Sequence, residues 1–230
     1  MNNLYLWLAL GSFSIPFLFS FHPRLQFYKK WRSLFPAIAI MMAIFIPWDV
    51  IFTANEFWGF NDAYLTGLYI FNLPIEEWLF FICIPYACIF THYALHELFP
   101  KFSFSEKFTS IFYILLASTL IILLWYYYDR WYPLINFIYA LILLGLVYNY
   151  RKQWLMDFLP TYFIIFIPFF LVNGILTGTG IEDQVVWYND AENMGIRLLT
   201  IPIEDTIYNL GMLLTVFVCT EIFEKWYNKA

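Results

Sequence analysis

Apolar runs long enough to cross a bilayer as helix, about 20 residues each, recur along the whole chain, and no other feature constrains its fold as much. With 62% hydrophobic and only 13% charged residues, the chain carries far more apolar surface than a water-soluble core can hide. The bilayer is therefore the solvent. Unpaired backbone groups are costly in lipid, which leaves a helix bundle or a closed barrel. The runs are continuous rather than alternating, so helices are expected.

Helices are expected over roughly 4–21, 34–53, 74–96, 108–128, 133–150, 158–176 and 200–223. The chain reads as an all-α integral membrane protein, a bundle of seven transmembrane helices. The first run has no basic stretch ahead of it and is followed by Arg24, Lys29, Lys30 and Arg32, so it is expected to be a retained span. Alternate connections, counting the C-terminal tail, carry ten basic residues, among them Lys101, Lys107, Arg151, Lys152, Lys225 and Lys229. The opposite side carries only Arg130 and Arg197. The positive-inside rule then puts the N-terminus outside and the C-terminus in the cytoplasm. Cys83, Cys88 and Cys219 lie within apolar runs without a CxxC spacing, the pattern of small core residues rather than of a disulfide framework or zinc ribbon.

The two long connections, 54–73 and 177–199, fall on the outer side and are rich in Gly, Asn, Asp and Trp. They lead into a repeated feature. Pro74-Ile75-Glu76-Glu77 and Pro202-Ile203-Glu204-Asp205 open two helices, Gly67 and Gly195 each stand seven residues before their proline, and Trp48-Asp49 aligns with Val172-Asn173. Helices one to three and five to seven would form two parallel repeats joined by the fourth helix. The chain is then one membrane domain, 1–230, with a first half over 1–100, a connector over 101–131 and a second half over 132–230.

Proline at the first helical position presets φ, and acids in a first turn favour the helix dipole. Leu73 and Ile201 occupy the expected cap positions, however, so no capping box is completed. Two acids in succession, twice, exceed what capping needs. Ionisable groups at the edge of a span mark a functional interior. Adjacent residues point about 100° apart on a helix, so one carboxyl of each dyad can line a cavity while its neighbour orients it or meets the loop. A proton donor and acceptor in an aromatic pocket suit alkene protonation and loss of a proton from the resulting carbocation. Aromatic faces stabilise such a cation without trapping it, and Trp48, Trp58, Trp78, Phe80, Trp187 and Tyr208 lie near the motifs.

The pattern resembles the membrane lycopene cyclases of the heterodimeric or fused type, whose two related halves carry Pro-x-Glu-Glu and Pro-x-Glu-Asp. Trp58-Gly59-Phe60 and Leu73 to Phe81 match the first half. Val172 to Gly178, Gly195-Ile196-Arg197 and Ile201 to Leu210 match the second. The resemblance implies Glu76, Glu77, Glu204 and Asp205 as catalytic residues. It implies Asp49, Asn173 and Arg197 as supporting polar groups, and with the nearby aromatic Trp48, Trp58, Phe80 and Tyr208 they are expected to hold the substrate. It further implies a lycopene β-cyclase, an intramolecular lyase acting without net redox change and converting lycopene through γ-carotene to β-carotene. No cofactor and no metal are expected, since no dinucleotide fingerprint is present. The expected partners are a carotenoid within the bilayer, membrane lipid and other carotenoid enzymes, not nucleic acid, and the expected location is a bacterial inner membrane.

Other readings are a proton-coupled seven-helix transporter or a pigment-binding membrane protein. All lysines lie outside the apolar runs, which argues against retinal attachment. His92 and His96 share a helix face at a metal-binding spacing, but with His22 they are the only histidines, and an interfacial helix end is the expected role. Asn61-Asp62 and Asn189-Asp190 are too sparse for a magnesium diphosphate site.

Overall fold

The computed structural model describes residues 3–229. Six continuous helices dominate: α1 (Leu4–Phe19), α2 (Trp31–Ala54), α3 (Ile75–Leu98), α4 (Glu106–Tyr126), α5 (Trp131–Leu176) and α6 (Glu204–Tyr227). Among the described residues, five helices are long and apolar enough to cross a membrane, and α1 is a shorter apolar helix. The expected fifth and sixth spans run together as the 46 residues of α5. A straight helix of that length would reach about 69 Å, more than twice the roughly 30 Å of hydrocarbon. It is not straight: Arg151, at φ −148° and ψ 43°, leaves the helical region and kinks it.

Helix α1 packs on α3, α2 on α6, and α5 on both α4 and α6. Met41 and Phe45 of α2, Phe81 and Ile89 of α3, Phe158 of α5 and Leu213 of α6 are buried at the centre. The apolar flank of α4, Ile114, Leu115, Ile121 and Ile122, is exposed, as a lipid-facing surface should be. Trp125, Tyr126, Tyr128 and Trp131 are exposed at one end of the bundle and Trp226 lies near the C-terminus, the positions of an interfacial aromatic belt.

The two long connections are two copies of one structure. Strand β2 (Tyr69–Ile70) pairs with β3 (Leu73–Pro74), and β5 (Arg197–Leu198) pairs with β6 (Ile201–Pro202), in the same register. Ile75 N–H donates to Leu68 O at 2.8 Å and Ile203 N–H to Ile196 O at 2.9 Å. Gly67 and Gly195 take φ of 82° and 68°, a region that side chains disfavour, which explains the repeated glycine. Phe71 and Leu199 occupy matched turn positions at φ 55° and 59°, bulky residues where such angles are unusual.

The copies also bind each other. Strand β1 (Trp58–Phe60) pairs antiparallel with β4 (Val186–Tyr188), with Gly59 opposite Trp187 at the centre. The flanking bonds are reciprocal: Asn61 N–H donates to Val185 O and Asn189 N–H to Phe57 O, both at 2.9 Å. Gly59 is required here, because a Cβ would lie 2.3 Å from the Trp187 ring. The ladder joins the two connections above the starts of α3 and α6.

One sequence expectation is corrected at these starts. Pro74 is not the first helical residue but the cap of α3, at φ −64° and ψ 149°, and in α6 the cap is Ile203. Both prolines are held in the short strands instead. Pro lacks the N–H that a central strand needs, and these two-strand hairpins do not require it.

Candidate active site

The dyads place their two members differently. Glu76 and Glu204, both fully buried, turn back to the connections. Glu76 Oε1 accepts from Thr66 N–H at 2.7 Å, and Glu204 Oε1 accepts from Met194 N–H at 2.5 Å. Each thus satisfies a loop amide that would otherwise be costly to bury. Neither lines the cavity formed by their neighbours.

Glu77 and Asp205 point one residue further round the helix and line one cavity together with Asp49. Tyr5 OH donates to Glu77 Oε2 at 2.5 Å. Tyr132 OH donates to Asp205 Oδ1 at 2.6 Å and Tyr188 OH to Asp205 Oδ2 at 2.9 Å. Burial first, and then the Asp205 carboxylate, push the Tyr188 phenol well above its ordinary pKa, so it remains a proton-bearing donor. Trp58 Nε1–H donates to Asp49 Oδ1 at 2.6 Å. Asp49 Oδ2 is buried and has no hydrogen-bond partner among the described residues.

The other walls are aromatic or apolar: Phe60, Phe80, Tyr208 and Met212, with Asn173 and Asn209 as further polar groups. Strands β1 and β4 contribute Trp58, Val186 and Tyr188 to the lining. The ladder between the two connections is therefore a wall of the cavity, and α2, α3 and α6 supply the three carboxyls.

Of the residues expected to hold substrate, Asp49, Trp58, Phe80, Asn173 and Tyr208 line this cavity. Trp48 stands behind it, its ring 5.1 Å from that of Tyr208. Arg197 is elsewhere: it pairs with Asp190 at 2.6 Å, donates to Thr200 O at 2.9 Å and lies 5.9 Å from the Tyr188 ring. It braces the second connection and the back of Tyr188. Trp187 packs over Gly59, and Trp78 donates to Ile70 O.

Tyr5, Tyr132 and Tyr188 are absent from the sequence-derived candidates although they donate hydrogen bonds to Glu77 and Asp205. Tyr5 and Tyr132 stand near the starts of matched helices, which is a usable signal. It is masked in a chain with 24% aromatics, where a tyrosine at a helix end reads as belt.

His92 and His96 lie away from the cavity. Their rings are 4.4 Å apart, with His92 Nδ1 3.1 Å from Thr161 Oγ1 and His96 Nε2 3.1 Å from Asp157 O. His92 is buried rather than interfacial. Among the described residues, no group of three or more His, Cys, Asp or Glu is arranged to hold a metal ion.

A family model described as lycopene cyclase matches residues 2–99 and 129–223. The chain belongs to the lycopene cyclase family. The two matched segments flank α4, and every cavity residue named above lies within them. No curated protein and no solved structure matches the chain. With its membrane-length apolar helices, this member of the lycopene cyclase family is a membrane protein of carotenoid biosynthesis.

Proposed function

We propose that the chain is a lycopene β-cyclase that converts a linear ψ-end to a β-ring by proton transfer alone. One observation carries this reading: carboxyls from three helices meet in one aromatic cavity under a two-stranded wall. Asp49 has one oxygen fixed by Trp58 and the other open, and it donates the proton to the terminal double bond. The internal alkene attacks the tertiary cation and closes the ring. A carboxyl whose two oxygens both accept hydrogen bonds is arranged as an anion, so Asp205, held by Tyr132 and Tyr188, faces the cation. Glu77 takes the departing proton, and exchange among the three carboxyls resets the site. One proton enters the hydrocarbon and one leaves, so no oxidant or reductant is consumed.

Water excluded by the β1–β4 ladder cannot capture the cation, and the aromatic faces stabilise it without forming a bond. Glu76 and Glu204 act as positioning residues for the two connections, and Arg197 as a brace behind Tyr188.

On this reading α5 forms two spans that meet at Arg151, giving seven in all and two parallel halves, 1–100 and 132–230, with 101–131 between them. The N-terminus lies outside and the C-terminus inside a bacterial inner membrane. A reporter fused at the C-terminus should then be active only in the cytoplasm, and a periplasmic signal would reverse the topology.

The deciding experiment is expression in cells that accumulate lycopene, followed by pigment analysis. Ringed carotenoids are expected, and unchanged lycopene beside correctly inserted protein would remove the cyclase assignment. Purified protein should act without added flavin. A requirement for reduced flavin would break the proton-only mechanism.

A further inference from the structure

Beside the carboxyl cavity lies a second space that the reaction at the end group leaves unused. Its wall is almost wholly apolar: Pro16 of α1, Ala87 and Cys88 of α3, and Ile165, Pro168 and Phe169 of α5. The two spaces share Phe80, Asn173 and Asn209 as walls, so the second space adjoins the first. Pro168 is exposed and Ser12 and Pro16 half-exposed, which places a mouth at the lipid-facing side between α1 and α5.

At the matching place in the repeat, side chains pack together instead. Tyr5 and Tyr132 relate α1 to the start of α5, the dyads relate α3 to α6, and Trp48-Asp49 relates α2 to Val172-Asn173. By those relations Ser12 corresponds to Tyr139, Val172 to Trp48, Phe169 to Phe45 and Ala87 to Thr215. Phe45 and Tyr139 rings sit 5.4 Å apart, Trp48 and Tyr208 rings 5.1 Å apart. Tyr139 and Thr215 hydroxyls are joined at 2.6 Å. Gly211 lets the Tyr139 ring approach, since a Cβ there would meet it at 3.1 Å. Ser12, Ala87 and Val172 leave one cleft open where the larger Tyr139, Thr215 and Trp48 fill its counterpart.

We propose that this cleft holds the unreacted polyene of the substrate, which enters sideways from the bilayer, end first, and is cyclised at one end per visit. The inference rests on the cyclase reading for the identity of the ligand, a long linear polyene hydrocarbon. Ring closure involves only the end group, and the rest of so long a molecule needs an apolar channel continuous with the reacting site. A single open cleft cannot seat both ends, so the one-ringed product must leave and return reversed.

The test uses full-length protein in lipid vesicles carrying Asp205→Asn to stop turnover, with lycopene as the probe and its induced visible circular dichroism as the readout. A single saturable site is expected. Ala87→Phe and Ser12→Phe, on different helices, should each weaken binding at least tenfold, while Ile122→Phe on the exposed flank of α4 and Ala87→Ser should not. Equal binding in all variants, or no saturable binding, would overturn the cleft. Binding lost to both plugs in a protein whose Asp205 form never makes rings would keep the cleft and remove the cyclase reading. Ring formation at full rate in the plugged variants would do the reverse. With turnover restored, unlabelled one-ringed carotenoid added during conversion of labelled lycopene should dilute the label in the two-ringed product. Undiluted product would overturn the one-end-per-visit part.

Discussion

The first and second dyads follow hairpins of the same register yet end in different surroundings. Both begin with a glutamate that binds an amide of its own connection, Thr66 in one case and Met194 in the other. The next residue diverges: Glu77 accepts one phenol, from Tyr5, whereas Asp205 accepts two, from Tyr132 and Tyr188. Tyr188 itself pairs with Trp58 across the ladder, and Trp58 holds Asp49. The two connections are therefore braced alike, while the surroundings of their second acids differ. Two acids that look equivalent in a repeat need not do equivalent work.

The strongest way to break this comparison is to neutralise the second acids. Asp205→Asn and Glu77→Gln should each lower lycopene conversion by about 10²–10⁴-fold, the usual span for a lost proton-transfer group, with insertion unchanged. Near-normal turnover in either would return that carboxyl to a structural role. Removing single phenol donors comes next. Tyr188→Phe and Tyr132→Phe each take from Asp205 a hydrogen bond to a charged group worth about 1.5–3 kcal/mol. Conversion should fall roughly tenfold to a hundredfold at constant protein level, and equal losses in Tyr5→Phe would erase the asymmetry between the sites.

The first acids should behave otherwise. Glu76→Gln and Glu204→Gln keep an oxygen for the Thr66 and Met194 amides and should retain most activity. Glu76→Ala and Glu204→Ala strand those amides and should cost about 1–3 kcal/mol of stability, read as earlier thermal unfolding in detergent. Loss of turnover in the glutamine variants without loss of stability would place these acids in the chemistry after all.

The smallest effect belongs to the outer brace. Burial alone would raise the Asp190 carboxyl, but hydrogen bonds from Asn193 and Arg197 and the charges of Arg197 and Arg130 outweigh it and hold it below its ordinary value. A depressed acid contributes stability above its unfolded pKa and loses it as pH falls through the folded one. The Arg197 pairing should therefore persist at neutral pH and fade only in strong acid. For a pair this exposed, Arg197→Gln should cost about 0.2–1 kcal/mol, and a large loss of activity would show that Arg197 reaches the substrate.

Much of the site is legible in the chain before folding. The glycine before each hairpin, the proline at each helix start and the pairing of Asp49 with Asn173 are polar or conformationally special residues in an apolar setting, where each has few alternative explanations. Glu77 and Asp205 are legible as members of dyads but not as the members that face the cavity. Nor is the exclusion of Arg197 from the cavity, since an outer-side arginine near two acids reads equally well as substrate contact or brace. The continuity of α5 escapes for a local reason: Arg151 and Lys152 look like a loop, yet only Arg151 leaves the helical region and the helix runs on past it.

Composition and hydrophobic length determined by themselves that this chain lies in a membrane, because lipid admits few backbone solutions and repeated apolar runs select helices among them. The repeated motif likewise fixed where chemistry should be sought. Only tertiary structure decided which carboxyl of each dyad meets the cavity, that three distant tyrosines hold two of the acids, and that an apolar cleft lies beside it. Those outcomes depend on rotations of about 100° between neighbouring residues and on side-chain volumes meeting across helices, and neither is written in the order of residues along one strand of chain.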